Sequence, residues 1–361
     1  MAVLFFNSSK TWGGGEKWHY DISSELSARG WKTVVVTNRE SELFTRIKNK
    51  GQKVYNIKIT NLSFLNPFKI FRIRRLFLSE AVEQLIINLS ADLKVAGLAG
   101  KLAGVKRVIY RRGSAIPISN SLLNRFLFRH IVTDIIANSE ETRKTINANN
   151  PTLFPNDKIR VIYNGLDFNL YDNAPIAISF SRSPGELVIG NLGRFVKQKA
   201  QHFMIELAAI LKQKKIPFKM IIGGEGPLKD ELARLAAARK VEDVVIFPGF
   251  ISDIKGFMTS TDVFVLTSLW EGFGYVIAEA MYFEKPVIAF NVSSNPELVI
   301  NEKNGFLAEM GDIETMAAKI ELLYHNPALG ADMGKYGRNF VTSGLSLQKT
   351  VSEVIHFLEN H

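Results

Sequence analysis

Two glutamates that stand eight residues apart, Glu271 and Glu279, flank a turn that could bind an anion. The apolar run Val263–Leu266 before the turn predicts a buried parallel strand, and the pattern from Tyr275 to Met281 predicts a helix. Open α/β sheets bind ligands at the carboxyl ends of their strands, and the N–H groups of a helix N-terminus favour phosphate there. Eight residues are just over two helical turns, so Glu279 can lie on the same side as Glu271. The stretch therefore predicts a phosphate site framed by two carboxylates.

Two cations follow an earlier predicted strand. Leu187–Asn191 predicts the strand, Gly193 and Arg194 come after it, and Lys199 stands where we expect the next helix to begin. The forked guanidinium of arginine and the point charge of lysine can together clamp a diphosphate. The alternative is a pair of solvated surface cations.

A glycine turn also follows the first strand of the chain. Val3–Phe6 predicts that strand, Gly13-Gly14-Gly15 ends the loop, and Glu16 begins a helix. The turn differs from the G-x-G-x-x-G dinucleotide fingerprint, and no acidic residue for a ribose ends the next strand. Its glycines would let the backbone approach a ligand closely. The alternative is a plain tight turn.

Arginines follow the predicted strand Val108–Tyr110. Arg112 is the second of them and precedes Gly113. Arginine cannot act as a base, but its guanidinium suits a phosphate or a carboxylate. The alternative is a surface salt-bridge arginine.

At these positions the chain resembles the retaining glycosyltransferases of the GT-B fold, in particular glycosyltransferase family 4 (glycosyl transferases group 1). E-G-F-G followed by Glu279 resembles the E-x7-E signature of that family. The segments that begin at Gly13 and Gly193 resemble its G-G-x-E and G-R-x4-K segments, and Asn164–Asp167 resembles its N-G-V-D turn. The likeness is weak over residues 17–160 and strong over residues 161–325.

The resemblance implies a role for each candidate residue. The catalytic set would be Glu271, which approaches the donor sugar, with Arg194 and Lys199, which neutralise the diphosphate. Many relatives carry a histidine where Arg112 stands, so no catalytic histidine is expected. The donor-binding set would be Gly14, Gly193, Ile251 near the nucleotide base, Gly272, Phe273, Gly274, Tyr275, and Glu279 on the ribose. The acceptor-side set would be Gly13, Glu16 and Arg112.

The length of 361 residues predicts two domains. The alternation of strands and helices predicts α/β structure, and the resemblance implies two Rossmann-like domains that face each other across a cleft (GT-B). We expect an N-terminal acceptor-side domain over residues 1–168 and a nucleotide-sugar donor domain over residues 169–344. The polar stretch Phe168–Gly185 would be the linker. The resemblance implies that a last helix, about 345–361, crosses back to the first domain.

Charge is distributed unevenly along the chain. Residues 1–170 contain 26 Lys and Arg against 13 Asp and Glu, which gives +13, whereas residues 171–361 contain 19 against 22, which gives −3. Asn66–Leu89 begins as a helix that alternates Phe and Leu with Lys and Arg, and Leu122–Ile131 has a similar pattern. Such helices indicate an anionic membrane surface as a partner, and the alternative is a core-facing helix with a basic outer side.

Composition excludes several kinds of protein. The chain has no cysteine, which excludes a disulfide framework and a thiolate metal site and fits a reducing compartment. The N-terminal MAVLFF predicts a strand and not a signal peptide, and no apolar run reaches the length of about 18 residues that spans a membrane. We expect a cytoplasmic protein that can bind peripherally to the cytoplasmic membrane face. Nucleic acid is not an expected partner, because no binding motif accompanies the basic residues.

The resemblance, together with these observations, implies a retaining glycosyltransferase that moves a hexosyl-type sugar from a nucleoside-diphosphate sugar to a saccharide. The expected acceptor is a lipid-linked saccharide or glycolipid of cell-surface polysaccharide synthesis, such as lipopolysaccharide. No D-x-D stands at a strand end, so we expect neither a metal nor another cofactor. Two alternatives stay open: a small soluble acceptor, and a nucleotide-sugar-binding protein without transfer activity. The base, the sugar and the linkage are not predicted.

Overall fold

The computed structural model describes residues 2–360 and divides the chain into two compact units. Unit 1 contains the chain up to Asn164 together with the residues from Gln348 on, and unit 2 is Gly165–Leu347. The sequence placed the boundaries at 168/169 and 344/345. Each unit is an α/β structure with its own parallel sheet, which confirms the predicted fold class.

Unit 1 contains a seven-stranded parallel sheet in the order β3-β2-β1-β4-β5-β6-β7. Its central strands are fully buried because helices cover both faces, as expected for a parallel sheet. The strands are β1 (Ala2–Asn7), β2 (Lys32–Thr37), β3 (Val54–Asn56), β4 (Gln84–Ile87), β5 (Arg107–Arg112), β6 (Asp134–Ala137) and β7 (Ile159–Val161).

Polar side chains cap the N-termini of several helices of unit 1. Asn66, Ser121 and Ser139 each accept a hydrogen bond from the backbone N–H three residues on, which satisfies a donor that the helix itself leaves unpaired. The helices are α1 (Gly14–Ala28), α2 (Glu42–Asn49), α3 (Pro67–Ser79), α4 (Ser90–Asp92), α5 (Leu98–Ala103), α6 (Leu122–His130) and α7 (Glu140–Ile146).

Unit 2 contains a six-stranded parallel sheet in the order β10-β9-β8-β11-β12-β13. Its strands are β8 (Leu187–Leu192), β9 (Phe218–Gly223), β10 (Val245–Ile246), β11 (Val263–Leu266), β12 (Val287–Phe290) and β13 (Gly305–Ala308). Its helices are α8 (Phe168–Asn173), α9 (His202–Gln213), α10 (Lys229–Ala238), α11 (Ile254–Thr259), α12 (Tyr275–Tyr282), α13 (Asn295–Leu298), α14 (Ile313–His325) and α15 (Pro327–Gly344).

The last helix, α16 (Leu347–Glu359), belongs to unit 1 from its second residue on. Gln84 Nε2 donates to the Leu358 carbonyl at 2.8 Å, and Arg107 Nη1 donates to the Phe357 carbonyl at 3.0 Å. These bonds tie the end of α16 to the beginnings of β4 and β5.

Three predicted elements differ from the structure. The stretch predicted as a linker begins with α8, because Asp167 caps a helix whose Tyr171 is buried. Lys199 does not start a helix, since α9 begins three residues later at His202. Strand β5 runs on through Arg112 and does not end at Tyr110. The chain also forms one π-helical turn, Leu93–Gly97, between α4 and α5.

Candidate functional site

Glu271 lies on the turn between β11 and α12, at the carboxyl edge of the second sheet. Gly274 caps α12 with a φ of 85°, a left-handed conformation that glycine adopts without strain. The backbone can therefore reverse sharply enough to bring Glu271 beside the start of the helix. Gly272, Phe273 and Tyr275 occupy the rest of this turn, where the dipole of α12 favours an anion.

Lys199 and Glu271 form a buried ion pair. Lys199 Nζ donates to Glu271 Oε1, and the two side chains are 15% and 8% exposed. The sequence predicted both residues as parts of one site but not this contact, which joins positions 72 residues apart. The pair fixes a carboxylate and an ammonium side by side.

Backbone contacts hold the Lys199 segment against the Glu271 turn. Leu269 N donates to the Gln198 carbonyl at 2.8 Å, and Gln198 Nε2 donates to the Trp270 carbonyl at 2.8 Å. Thr267 Oγ1 lies 3.2 Å from the Lys199 carbonyl. These hydrogen bonds therefore join the two loops after β8 and β11.

Arg194 has a different environment from Lys199. Its side chain is exposed, and its guanidinium makes no ion pair or hydrogen bond with the part of the chain that the structure describes. It follows Gly193, where an added Cβ would touch carbons of the Lys199 side chain at 3.4 Å. Arg194 thus retains its full donor capacity beside the Lys199 stem.

Glu279 lies on α12 and is almost completely buried. The Tyr171 hydroxyl donates to Glu279 Oε1 at 2.7 Å. Tyr171 belongs to α8, the helix that the sequence interpretation treated as linker. Only the tertiary contact reveals it, since no motif of the sequence singles out this tyrosine.

Glycine loops from two neighbouring strands meet at the same edge. At Gly224, which follows β9 with a φ of 151°, an added Cβ would lie 1.9 Å from the Gly193 carbonyl oxygen. An added Cβ at Gly223 would lie 2.8 Å from Ile251 Cγ1, which places Ile251 against the end of β9. The candidate base-side residue is therefore packed beside the Gly193 turn.

Ser294 is a further residue of this site, which the sequence analysis did not single out. Its side chain is buried, and its Oγ donates to the Glu271 carbonyl at 3.2 Å. The hydroxyl supports the backbone of the turn from the β12–α13 side. A glycine at this position could not make that bond.

The acceptor-side candidates lie at the carboxyl edge of the first sheet. Asn7 Nδ2 at the end of β1 donates to the buried Glu16 Oε1 at 3.0 Å. Gly13 caps α1, and a Cβ there would be 3.3 Å from Glu16 Oε2. A Cβ on Gly15 would lie 2.5 Å from Asn88 Nδ2, so a side chain at that position would displace the Asn88 amide.

Arg111 and Arg112 point to opposite faces of β5, because successive strand residues alternate. Arg111 is buried, and it donates to Asn88 at 3.0 Å and Asn164 at 2.9 Å, with its guanidinium 5.1 Å from the Trp18 ring centroid. Arg112 is half-buried and donates to the Ile116 carbonyl. The sequence interpretation missed Arg111, since it placed both arginines in a loop.

Two buried titratable groups accompany this edge. Burial raises the pKa of Asp92 to about 7, although Ser8 donates to its carboxylate from the backbone at 2.8 Å and from Oγ at 2.5 Å. Burial, and then the Arg111 charge, lower the pKa of His19 well below its usual value. His19 is therefore neutral at pH 7, whereas Asp92 changes its protonation state near pH 7.

Other features limit the chemistry that the described residues can perform. No group of three or more His, Asp or Glu within residues 2–360 is arranged to hold a metal ion. No helix in that range is long and apolar enough to cross a membrane. A cavity of about 940 Å³ in unit 2 lies at the amino ends of β8, β11 and β12, opposite the Glu271 turn.

Two family models match the chain in succession. The model of "Glycosyltransferase Family 4" matches residues 12–170, and the model of "Glycosyl transferases group 1" matches residues 176–340. Together they cover most of both units, and each candidate residue of the two edges lies within one of them.

Curated relatives show the same likeness. The chain is 36% identical over 156 residues to the putative glycosyltransferase EpsD of Bacillus subtilis, a match that covers 43% of this chain and 41% of that protein. It is 30% identical over 207 residues to UDP-Gal:alpha-D-GlcNAc-diphosphoundecaprenol alpha-1,3-galactosyltransferase of Escherichia coli, covering 55% of this chain and 53% of that protein. The chain therefore matches about half the length of these two relatives.

A solved structure matches over the whole chain. Anabaena HepE in complex with UDP-glucose superposes with a TM-score of 0.85 at 23% sequence identity, and the match covers 100% of both chains. This agreement confirms the GT-B fold that the sequence predicted.

Proposed function

Because the chain belongs to glycosyltransferase family 4, the glycosyl transferases group 1, we propose that it moves a sugar from a nucleoside-diphosphate sugar to an acceptor with retention of configuration. The observation that carries the proposal is the buried Lys199–Glu271 pair at the turn before α12. Glu271 is the carboxylate for the donor sugar, and Lys199 and Arg194 are the cations for its diphosphate. Glu279 and Ile251 are the proposed contacts of the ribose and the base.

The proposed chemistry needs only groups that the site and the substrates supply. The bond between the anomeric carbon and the diphosphate oxygen breaks, and the acceptor hydroxyl oxygen bonds to that carbon on the same face. The acceptor proton passes to the leaving diphosphate oxygen. Glu271 stabilises the positive charge that develops on the sugar, while Arg194, Lys199 and the N-terminus of α12 stabilise the negative charge on the diphosphate. No metal ion is required in this scheme.

We assign the acceptor to lipid-linked saccharides or glycolipids of cell-surface polysaccharide synthesis. The Escherichia coli relative is named for transfer to a GlcNAc-diphosphoundecaprenol. The outer side of α3 in unit 1 exposes Phe68 and Phe71 beside basic residues, a composition suited to an anionic membrane surface. Gly13, Glu16 and Arg112 are the proposed acceptor-side residues.

Glu271→Gln tests the proposal. Glutamine keeps the shape and an acceptor oxygen for Lys199 but removes the negative charge. We expect turnover of the nucleotide sugar to fall at least about 100-fold, with a nucleotide affinity no weaker than that of wild type, because the lost interaction acts mainly in the transition state and Lys199 keeps its charge.

The measurement combines donor turnover with calorimetry of nucleotide binding, with and without chelator. Glu314→Gln, an exposed glutamate on α14, is the matched control and should behave as wild type. Near-normal transfer by Glu271→Gln would contradict the role of that residue. Loss of wild-type activity in chelator, restored by Mn²⁺ or Mg²⁺, would contradict the metal-independent scheme.

A further inference from the structure

A cavity of about 310 Å³ lies within unit 1 at the carboxyl end of β5. Its walls come from the end of β5, the π-helical turn Leu93–Gly97, the loop that precedes α6, and the first turn of α6. A π-helical turn is rare and often accompanies a functional site. The volume is at the small end of ligand pockets and suits a small group.

Two cations line this cavity, and no acidic residue does. Lys94 in the π-helical turn is half-buried, and its Nζ lies 5.8 Å from the centroid of the Phe64 ring. Arg112 at the end of β5 uses two of its five N–H donors, one on the Ile116 carbonyl and one on the Tyr110 hydroxyl at 3.4 Å. Its Nε is shielded from water and has no hydrogen-bond partner within residues 2–360.

Two other shielded cations of unit 1 are paired with carboxylates, and the buried Arg111 donates to two asparagine side chains. Arg107, also on β5, lies 3.1 Å from Asp134, and the largely buried Lys17 lies 2.6 Å from Asp21. Neither Lys94 nor Arg112 has a carboxylate partner within the residues described. Two partly desolvated positive charges without counter-charges favour an anion between them.

The first turn of α6 adds a third positive contribution. Ser121 caps this nine-residue helix by accepting from Asn124 N at 3.2 Å, and Ser121, Leu123 and Asn124 all line the cavity. The N-terminus of a helix carries a partial positive charge that favours anions. Hydroxyls of Ser90 and Ser119 supply further hydrogen-bonding groups to the lining.

We propose that this cavity binds the anionic group of the acceptor, a phosphate or carboxylate that Lys94 and Arg112 hold together. The assignment rests on the proposed function, because it presumes that an acceptor binds to unit 1. It adds Lys94 and the α6 N-terminus to the acceptor-side residues. It also gives Arg112 a binding role in place of a catalytic one.

The test is calorimetric titration of the full-length protein with inorganic pyrophosphate and, separately, with succinate. The protein is first saturated with the nucleoside diphosphate that gives the largest thermal shift, so that the donor diphosphate site is already occupied. Pyrophosphate represents a lipid-linked diphosphate, and succinate represents a soluble carboxylate acceptor. The anion that binds identifies which of these two kinds of acceptor the cavity serves.

The double variant Lys94→Met and Arg112→Met should bind the preferred anion at least about tenfold more weakly than wild type, because a charged hydrogen bond is lost with each cation. The control is Lys101→Met with Arg125→Met, two exposed cations of unit 1 that do not line the cavity. The control has the same net charge as the test variant and should bind as wild type. Melting temperatures verify that both variants fold.

Three outcomes would overturn the inference. The first is that wild type binds neither anion beside the nucleotide. The second is that the cavity variant binds the anion as wild type does, and the third is that the control loses as much affinity as the cavity variant. Failure of the proposed function looks different, since wild type would then turn over no nucleotide sugar whatever its affinity for anions.

Discussion

Lys199 and Arg194 are the two proposed diphosphate cations, and their surroundings make their contributions separable. Lys199 is largely shielded and pairs with the buried Glu271, whereas Arg194 is exposed without a side-chain partner among the described residues. Removing one partner of a buried ion pair leaves an uncompensated charge, at a cost of about 3–5 kcal/mol. Removing an exposed cation costs little stability.

We therefore predict that Lys199→Met lowers both the melting temperature and the affinity for nucleoside diphosphate, while Arg194→Met lowers only the affinity. Differential scanning calorimetry and binding titrations on the same samples provide the measurement. The two variants control for each other, since each removes one positive charge. Equal melting temperatures would show that the Lys199–Glu271 pair adds nothing to stability, and unchanged affinity in both would refute the clamp.

Asp92 makes stability depend on pH. Its pKa is about 7 in the folded protein against 3.8 for a free aspartate, because burial disfavours the charged form. A raised folded pKa means that the stabilising contribution is present below pH 3.8 and is lost as pH rises to about 7. A difference of about three pH units corresponds to at most about 4 kcal/mol.

Asp92→Asn should therefore lose less stability than wild type between pH 5 and pH 8, because asparagine stays neutral and can still bond to Ser8. Melting temperatures at the two pH values check this expectation. Asp157→Asn removes an exposed carboxylate of the same unit, and its melting temperature should fall between the two pH values as that of wild type does. A parallel fall of wild type and Asp92→Asn would show that Asp92 is already ionised at pH 5.

At the scale of elements, α8 supports α12. The Phe168 and Tyr282 rings stack with centroids 4.7 Å apart, and two tyrosine hydroxyls bridge the helices. Tyr171 donates to Glu279 at 2.7 Å, and Tyr282 donates to Asp172 at 2.6 Å. Only the first of these bonds reaches a proposed donor-binding residue.

Tyr171→Phe should consequently weaken nucleotide binding about three- to tenfold, because it removes a hydrogen bond that positions the carboxylate that the ribose is proposed to contact. Affinity for inorganic pyrophosphate, which lacks a ribose, should not change. Tyr282→Phe is the matched control, since it removes a hydroxyl–carboxylate bond from the same helix pair without touching Glu279. If both variants bind nucleotide equally well, the Tyr171 bond has no part in positioning Glu279.

At the scale of the whole molecule, the charge asymmetry suggests how the protein meets a membrane. Unit 1 carries most of the basic excess, and its α3 exposes Phe68 by 85% and Phe71 by 60%. Exposed aromatic rings beside arginines can enter the headgroup region of an anionic bilayer. Each basic residue near such a surface contributes about 1 kcal/mol, which salt screens.

We predict that wild type floats with anionic vesicles at low salt and dissociates as salt rises, and that changing Arg72, Arg74 and Arg75 to Glu abolishes flotation. The control changes Arg234, Lys303 and Lys335 of unit 2 to Glu, which alters the net charge equally. Loss in both variants would point to net charge alone. If wild type does not bind anionic vesicles at low salt, the soluble-acceptor alternative becomes the better proposal.

The order of strands and helices could be predicted from the sequence because each element has a local signal. Val263–Leu266 and Val287–Phe290 are apolar runs between polar turns, and the structure places β11 and β12 at those bounds. The predicted elements were wrong where tertiary packing, and not the local sequence pattern, decides the secondary structure. The polar segment after Asp167 forms α8 because Tyr171 is buried with Glu279, and a contact over 108 positions leaves no local trace.

The candidate site likewise combines residues that the sequence identifies with contacts that only the tertiary structure shows. Motif spacing alone identified Glu271, Lys199 and Arg112 as chemically capable residues. Only the tertiary structure decided that Lys199 pairs with Glu271 and that Lys94 joins Arg112 at one cavity. The physical reason is that residue type and spacing act through local backbone geometry, whereas partners and burial depend on which distant segments the fold brings together.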